Sequence, residues 1–181
     1  IHFPKGLNAK KIAYRSCAIA ASDIAACGGA LKWLAISLNT SSKDEKWIED
    51  FSKGIKEFSD SYKVPIIGGD LTSGKEISIS IGVCGEIEKK YFMRRSGAQE
   101  NDHIFVTGDL GEAFIGLNLL KNKKKKLSSK EKIYLNRFLR PSIEITFSQD
   151  LSKLANSCID ISDGLLGDLK HVCEESNLGA K

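Results

Sequence analysis

The chain has 181 residues, 41% of them hydrophobic, and 27 basic against 23 acidic side chains give a formal charge of +4. No apolar run approaches the roughly 20 residues that span a bilayer, and the opening stretch IHFPKGLNAKK has neither a methionine nor the apolar segment of a signal peptide; a fragment of a longer chain, or its ordered part, is expected. The charge excess is a single run, Lys123 to Lys126, without the interleaved arginines and aromatics of a nucleic-acid surface, and it reads as a solvated loop.

In chain order, residues 8–28 predict an alanine-rich helix. Asn8 is its N-cap and Gly28-Gly29 its stop. Its six alanines (13, 18, 20, 21, 25, 26) suit close packing, and Asp23 sits among them, where a charge needs a partner. Leu31–Leu38 is apolar on both faces and predicts a central strand. Residues 44–62 form the clearest helix, since Trp47, Phe51, Ile55, Phe58 and Tyr62 make one stripe. Val64–Ile67 predicts a short strand ending at Gly68-Gly69-Asp70. Glu76–Val83 alternates, with Ile77, Ile79, Ile81 and Val83 opposite Ser78, Ser80 and Gly82. Segment 86–102 is polar and reads as a bridge between two domains, 1–90 and 91–181. A strand at His103–Thr107, a turn at Gly108-Asp-Leu-Gly111 and a helix to about Leu120 follow. Two amphipathic helices flank Arg140-Pro141, the second with Ile143, Phe147, Leu151 and Leu154 on one face. A strand over Ser157–Ile161 leads into a helix from about Asp163, with Leu165, Leu166, Leu169, Val172 and Cys173 inward. The fold class is α+β, mixed α/β, because helices and strands mix without strict alternation.

Five scattered cysteines with no CxxC pair exclude a structural zinc site and fit free thiols in a reducing compartment. His2, His103 and His171 show no metal spacing. Acids follow two expected strands: Asp70 after Gly68-Gly69, and Asp160 and Asp163 in Cys158-Ile-Asp-Ile-Ser-Asp-Gly164. Asp163 alone suits a helix cap, whereas Asp160 interrupts an apolar strand and no cap explains it. Asp70 alone also reads as an ordinary turn residue and Asp23 alone as a surface acid; taken together, the four acids suggest single carboxylates for Mg²⁺, which keeps waters and bridges phosphates. Asp168, further along the helix, reads as a surface acid. Gly108-Asp-Leu-Gly111 lacks the lysine and hydroxyl of a phosphate loop, and Arg94-Arg95 can serve either a phosphate or the surface.

These segments together resemble the thiamine-monophosphate kinase family of the aminoimidazole ribonucleotide synthetase-like superfamily. The similar stretches are His2-Phe3, Ser22-Asp-Ile-Ala-Ala-Cys-Gly28, Ile67-Gly-Gly-Asp70, Arg95-Ser-Gly-Ala98, Val106-Thr-Gly108, Leu139-Arg-Pro141 and Ile159-Asp-Ile-Ser-Asp-Gly-Leu165. The resemblance implies a two-domain architecture, incomplete at both ends here, and a cytoplasmic homodimer joined through N-terminal domains, without nucleic acid or membrane. It implies Mg²⁺-dependent transfer of a phosphoryl group from ATP to thiamine monophosphate. It also implies metal ligands at Asp23, Asp70, Asp160 and Asp163, ATP contacts at Gly69, Asp70, Arg95 and Ser162, and a substrate contact at His2. The family's acidic Gly-Asp-Asp segment and its later Gly-Gly-Glu-Asp-Tyr region have no counterpart here, and Ala20 replaces a common asparagine. Another ATP-using member of the superfamily, or a non-catalytic ATP-binding module, is the alternative reading.

Overall fold

A computed structural model describes residues 3–4, 6–41, 44–123 and 126–181. In order, the elements are α1 (Ala9–Ala26), β1 (Ala30–Thr40), α2 (Glu45–Tyr62), β2 (Ile66–Ser73), β3 (Ser78–Glu86), a 3₁₀ turn (Lys89–Tyr91), α3 (Glu112–Lys121), α4 (Ser129–Leu139), α5 (Ile145–Leu151) and α6 (Leu165–Ser176). This is an α+β fold. It comprises two compact units: Ile1–Ala20, Lys32–Val83 and Leu110–Ser142 in the first, Ala21–Leu31, Cys84–Asp109 and Ile143–Lys181 in the second.

Local chemistry accounts for most element ends. Asn8 Oδ1 accepts the Lys10 N–H at 2.9 Å, as an N-cap should. The other end of α1 closes with Gly28 N–H on the Ala25 carbonyl and Gly29 N–H on the Ile24 carbonyl. That paired return requires a left-handed residue, and Gly28 supplies it at φ +81°. Asp44 caps α2 by accepting from Lys46 N–H at 3.0 Å, and Ser128 with Glu131 makes a reciprocal box at the start of α4.

One sheet of three strands, ordered β2-β1-β3, forms among the described residues. The β1–β2 pair is parallel, Ser37 lying opposite Asp70, so α2 is the crossover that parallel strands need. β1 is central as expected, but only one of its faces is buried: Leu34, Ile36, Leu38 and Thr40 are covered while Trp33 and Ser37 are exposed. β2 runs well past the expected stop at Ile67, because a ladder uses backbone groups and tolerates Gly68-Gly69. A Cβ at Gly69 would run into the Ile36 carbonyl, so the close strand approach selects glycine there. Two expected strands, 103–107 and 157–161, carry no strand structure and belong to no ladder. Extended chain becomes strand only when a neighbour accepts its hydrogen bonds, and no sheet partner lies beside them among the described residues.

The first unit's core contains Ile12, Cys17, Leu34, Phe51, Phe58 and Phe138. Burial pushes the Cys17 thiol up to about 12, so it stays protonated at neutral pH. Two long-range ties tether the region around α4 to the earlier helices. Arg15 lies 3.9 Å over the Phe138 ring and donates to the Phe138 carbonyl. Arg140 lies 4.2 Å over Tyr14 and donates to Glu57, which also pairs with Lys10 at 3.0 Å. Arg140 and Lys10 hold the Glu57 carboxyl below its usual value of 4.5. The depressed value makes the sign definite. Stability from Glu57 is present above about 4.5 and is lost as pH falls through the folded value. Glu57→Gln should therefore lower stability by about 1 kcal/mol at pH 7, after allowance for solvent screening. The gap between the two proteins should narrow as pH falls below 4.5, as read by thermal melts at neutral and acidic pH.

In the second unit, the expected apolar face of Ile143, Phe147, Leu151 and Leu154 does not form. Ile143 is buried, but Phe147 and Leu154 face solvent. Buried Ser148 and Ser152 turn inward instead. The Ser148 hydroxyl donates to the Ala25 carbonyl, and a Cβ on Gly28 would fall 2.6 Å from Ser152 Cβ. The small-residue end of α1 admits only small partners. On α6, Val172 is buried as expected, whereas Leu166 is 83% exposed.

Candidate functional site

The second unit contains a pocket of about 350 Å³ whose lining includes Asp23, Cys27, Arg95, Cys158 and Asp160. Two backbone bonds gather these residues from three parts of the chain. Met93 N–H donates to the Cys27 carbonyl at 3.1 Å, and Cys158 N–H donates to the Arg94 carbonyl at 2.9 Å. The first fixes Arg95 beside the end of α1, and the second fixes Asp160 beside Arg95. Segment 86–102 is thus tied into this unit along its length. The Asp102 carboxylate accepts from Gln99 N–H at 2.8 Å and from Asn156 Nδ2 at 3.0 Å. The Asn156 amide, then the Gln99 N–H, hold Asp102 below the usual carboxylate range. Gly97 is left-handed, at φ +118°, and a Cβ there would meet the Asn156 carbonyl at 2.7 Å.

The electrostatics single out Asp160. Burial pushes its carboxyl above the usual range, the charge of Asp23 pushes it further, and a hydrogen bond from Ser22 opposes them. Burial also raises the thiols of Cys27 and Cys158. Protonated thiols do not serve as nucleophiles or metal ligands, which leaves the carboxylates and the guanidinium for chemistry. Two neighbouring carboxylates, one of them half desolvated, favour a cation between them, and the Arg95 side chain suits an anionic oxygen. Among the described residues no group of three or more His, Cys, Asp or Glu stands ready to enclose a metal. The Asp23–Asp160 pair is a partial donor set, of the kind Mg²⁺ takes when it binds through one or two carboxylates and completes its shell with water and phosphate oxygens.

The turn after Asp160 departs from expectation. Gly164, not Asp163, is the residue capping α6, at φ 114°, and no side chain caps it there. Asp168, expected at the surface, is 3% exposed. Its Oδ2 accepts the N–H groups of Ser162, Asp163 and Gly164 at 2.9, 3.1 and 3.1 Å. A carboxylate one turn inside the helix reaches back to donors that the helix cannot satisfy. Ser162 and Asp163 themselves are exposed. At the other end of α6, the Ser176 hydroxyl accepts the N–H groups of Gly97 and Ala98 at 3.2 Å each.

The structure thus brings Asp23, Arg95 and Asp160 to one pocket and places Ser162 and Asp163 on the succeeding turn. Gly69 and Asp70 lie on β2 in the first unit, exposed, opposite Ile36 and Ser37. Asp70 is mid-strand rather than at a strand end. His2 lies outside the described residues, as do Lys124 and Lys125 of the lysine run. Sequence reasoning missed Ser22, Asp168 and Ser176. The Asp168 signal was available, since Ser-Asp-Gly presents three consecutive N–H groups and a carboxylate follows one turn later.

A sequence model of the AIR synthase related protein N-terminal domain matches residues 1–87. The thiamine-monophosphate kinase of Escherichia coli K12 is 39% identical over 181 residues, which cover 99% of this chain and 55% of that one. The Aquifex aeolicus thiamine-monophosphate kinase is 34% identical over 179 residues, 98% of this chain and 58% of that one. Among solved structures, AaThiL complexed with AMPPCP and TMP superposes with a TM-score of 0.92 at 34% identity, covering 98% of this chain and 57% of that one. The Stenotrophomonas maltophilia thiamine-monophosphate kinase gives a TM-score of 0.91 at 34% identity, with 98% and 57% covered. The chain spans a little over half the length of the relatives it matches.

Proposed function

We propose that the chain belongs to the AIR synthase related family, on its thiamine-monophosphate kinase branch, and that the protein carrying it moves the γ-phosphoryl group of ATP onto the phosphate of thiamine monophosphate, giving thiamine diphosphate. The observation that carries this reading is the pocket in which Asp160 faces Asp23 beside Arg95. It lies within a chain 39% identical to such a kinase over nearly its whole length.

Donor and acceptor here are both anionic, so the work is positioning and neutralisation of charge. Arg95 offers a planar fork of donors to a phosphate oxygen. Ser162, exposed on its turn, offers a hydroxyl. Asp23, Asp70, Asp160 and Asp163 are the proposed holders of Mg²⁺, which when bound offsets charge on the transferring phosphoryl oxygens. Gly69 and Asp70 on β2 are the proposed nucleotide contacts of the first unit, and His2 is the proposed substrate contact. A phosphate nucleophile is already ionised at neutral pH, so no general base is assigned.

Residues 1–90 are proposed as the ATP- and metal-binding domain and 91–181 as the C-terminal α/β domain; the match ending at residue 87 supports that boundary. Exposed Ile66, Ile67 and Leu71 on β2 support pairing of N-terminal domains in a homodimer. Five unpaired cysteines support a cytoplasmic site of action. No described helix is long and apolar enough to cross a membrane.

The test is an assay of the full-length protein with ATP, Mg²⁺ and thiamine monophosphate. Thiamine diphosphate should form and should require all three. Nucleotide binding without diphosphate formation at saturating substrates would overturn the reading.

A further inference from the structure

The start of α6 has the ingredients of an anion site. Three successive N–H groups converge there, at the positive end of a 12-residue helix. A phosphate would be the usual occupant of such a place. Here the place is taken by the chain's own Asp168, buried to 3% exposure and bonded to all three donors through one oxygen. Its partners are consumed, so the backbone of the turn is closed to phosphate. What the turn offers outward is the side chains of Ser162 and Asp163, both exposed. The same helix secures the other loop of the pocket. Its Ser176 hydroxyl takes the N–H groups of Gly97 and Ala98 and contacts the Arg95 carbonyl at 3.5 Å.

We propose that Asp168 is a positioning residue, a built-in anion that fixes turn 162–164 so that it presents Asp163 and Ser162 to a metal–nucleotide ligand instead of binding phosphate through its backbone. The proposal rests on the kinase reading for the identity of that ligand, but not for the role of Asp168 in shaping the turn. A free carboxylate in this position does three things together. It satisfies three N–H donors that the helix itself leaves without partners. It offsets the helix dipole. It also holds the loop in one conformation before ligand arrives, which removes an ordering cost from binding.

The experiment compares Asp168→Asn and Asp168→Ala with the unaltered full-length protein. Asparagine keeps an acceptor oxygen for the three N–H groups without the charge; alanine removes both. Amide hydrogen exchange at residues 162–164 should accelerate modestly in the asparagine variant and at least about tenfold in the alanine variant, other core amides staying protected. Mn²⁺ binding, followed by the loss of free-ion paramagnetic signal in the presence of ATP, should weaken roughly tenfold in Asp168→Ala and less in Asp168→Asn. In turnover, the Mg²⁺ and ATP concentrations for half-maximal rate should rise more than kcat falls, while KM for thiamine monophosphate is unmoved. Unchanged exchange at 162–164, or unchanged Mn²⁺ binding by folded variants, overturns the proposal. Equal losses in Asn and Ala variants that track folded fraction alone also overturn it, since they mark a purely structural role. If the unaltered protein makes no thiamine diphosphate, the kinase reading fails by itself, and the exchange and Mn²⁺ measurements still decide the role of Asp168.

Discussion

Asp160→Asn is expected to cut phosphoryl transfer by about 10²–10⁴-fold while raising the metal-free thermal midpoint by about 1–3 °C. The two effects share a cause. Asp160 is a half-buried carboxylate whose folded value is raised first by burial and then by Asp23. A raised value means that the native state holds the proton more tightly than the unfolded chain does. Stability therefore falls as pH climbs from the unfolded value of 3.8 through the folded one, and at neutral pH the charge is a cost. Asparagine removes the charge and the repulsion with Asp23 but leaves the shape. On the proposed reading of Asp160 as a metal holder, a bound cation offsets that cost. Adding Mg²⁺ with ATP should then stabilise the unaltered protein more than the variant. Calorimetric melts with and without Mg²⁺, beside rate measurements, check both halves. A variant with near-normal turnover would sink the assignment of Asp160, and one that melts far earlier would mark it as structural.

Phe58→Ala should cost about 3–5 kcal/mol, a large part of the 5–15 kcal/mol that holds a typical domain together. Phe58 is fully buried, one of the largest such side chains in the first unit. Its ring meets Tyr14 edge-on at 5.6 Å and 74°, and lies 4.7 Å from Tyr62. Removing it deletes both aromatic contacts and opens a cavity between α1 and α2. The approach of those helices cannot readily tighten to fill the hole. Gly54 already lies so close to α1 that a Cβ there would strike the Lys10 carbonyl. Urea titration should show a lower midpoint with an unchanged slope. A loss below about 1 kcal/mol would contradict the assignment of Phe58 to a rigid core.

How far the sequence could be read depended on where each element's partners lie. Helix α2 was legible because its stripe and its Asp44 cap are local. The central place of β1 was legible from its apolar run. The length of β2 was not, since Gly68-Gly69 punctuates a chain locally while the ladder that carries it through is made by β1, some thirty residues upstream. The apolar stripe on α5 failed in a similar way, whereas on α6 Leu166 alone of the five residues expected inward is exposed. Burial depends on the facing surface, and the alanine and glycine end of α1 takes serines rather than Phe147 or Leu154. Within the site, Asp23 and Asp160 were legible as acids in unusual company. Their meeting was not, because it depends on the carbonyls of Cys27 and Arg94, which every residue type carries alike. Asp168 was misread since an acid in a first turn also suits solvent and the helix dipole, and only tertiary structure shows which it meets.

The ties made by Arg15 and Arg140 bear on how the protein emerges from the ribosome. Arg15 is synthesised early, but the Phe138 ring it stacks on comes 123 residues later. Glu57 likewise waits 83 residues for Arg140. At roughly 5–20 residues per second of synthesis, α1 and α2 spend many seconds without these partners. During that interval the apolar surface destined for Phe138 and Leu139 is open to chaperones and to neighbouring nascent chains. The arginines solve part of that problem themselves, since a guanidinium keeps its place in water soluble until the ring arrives to cover it.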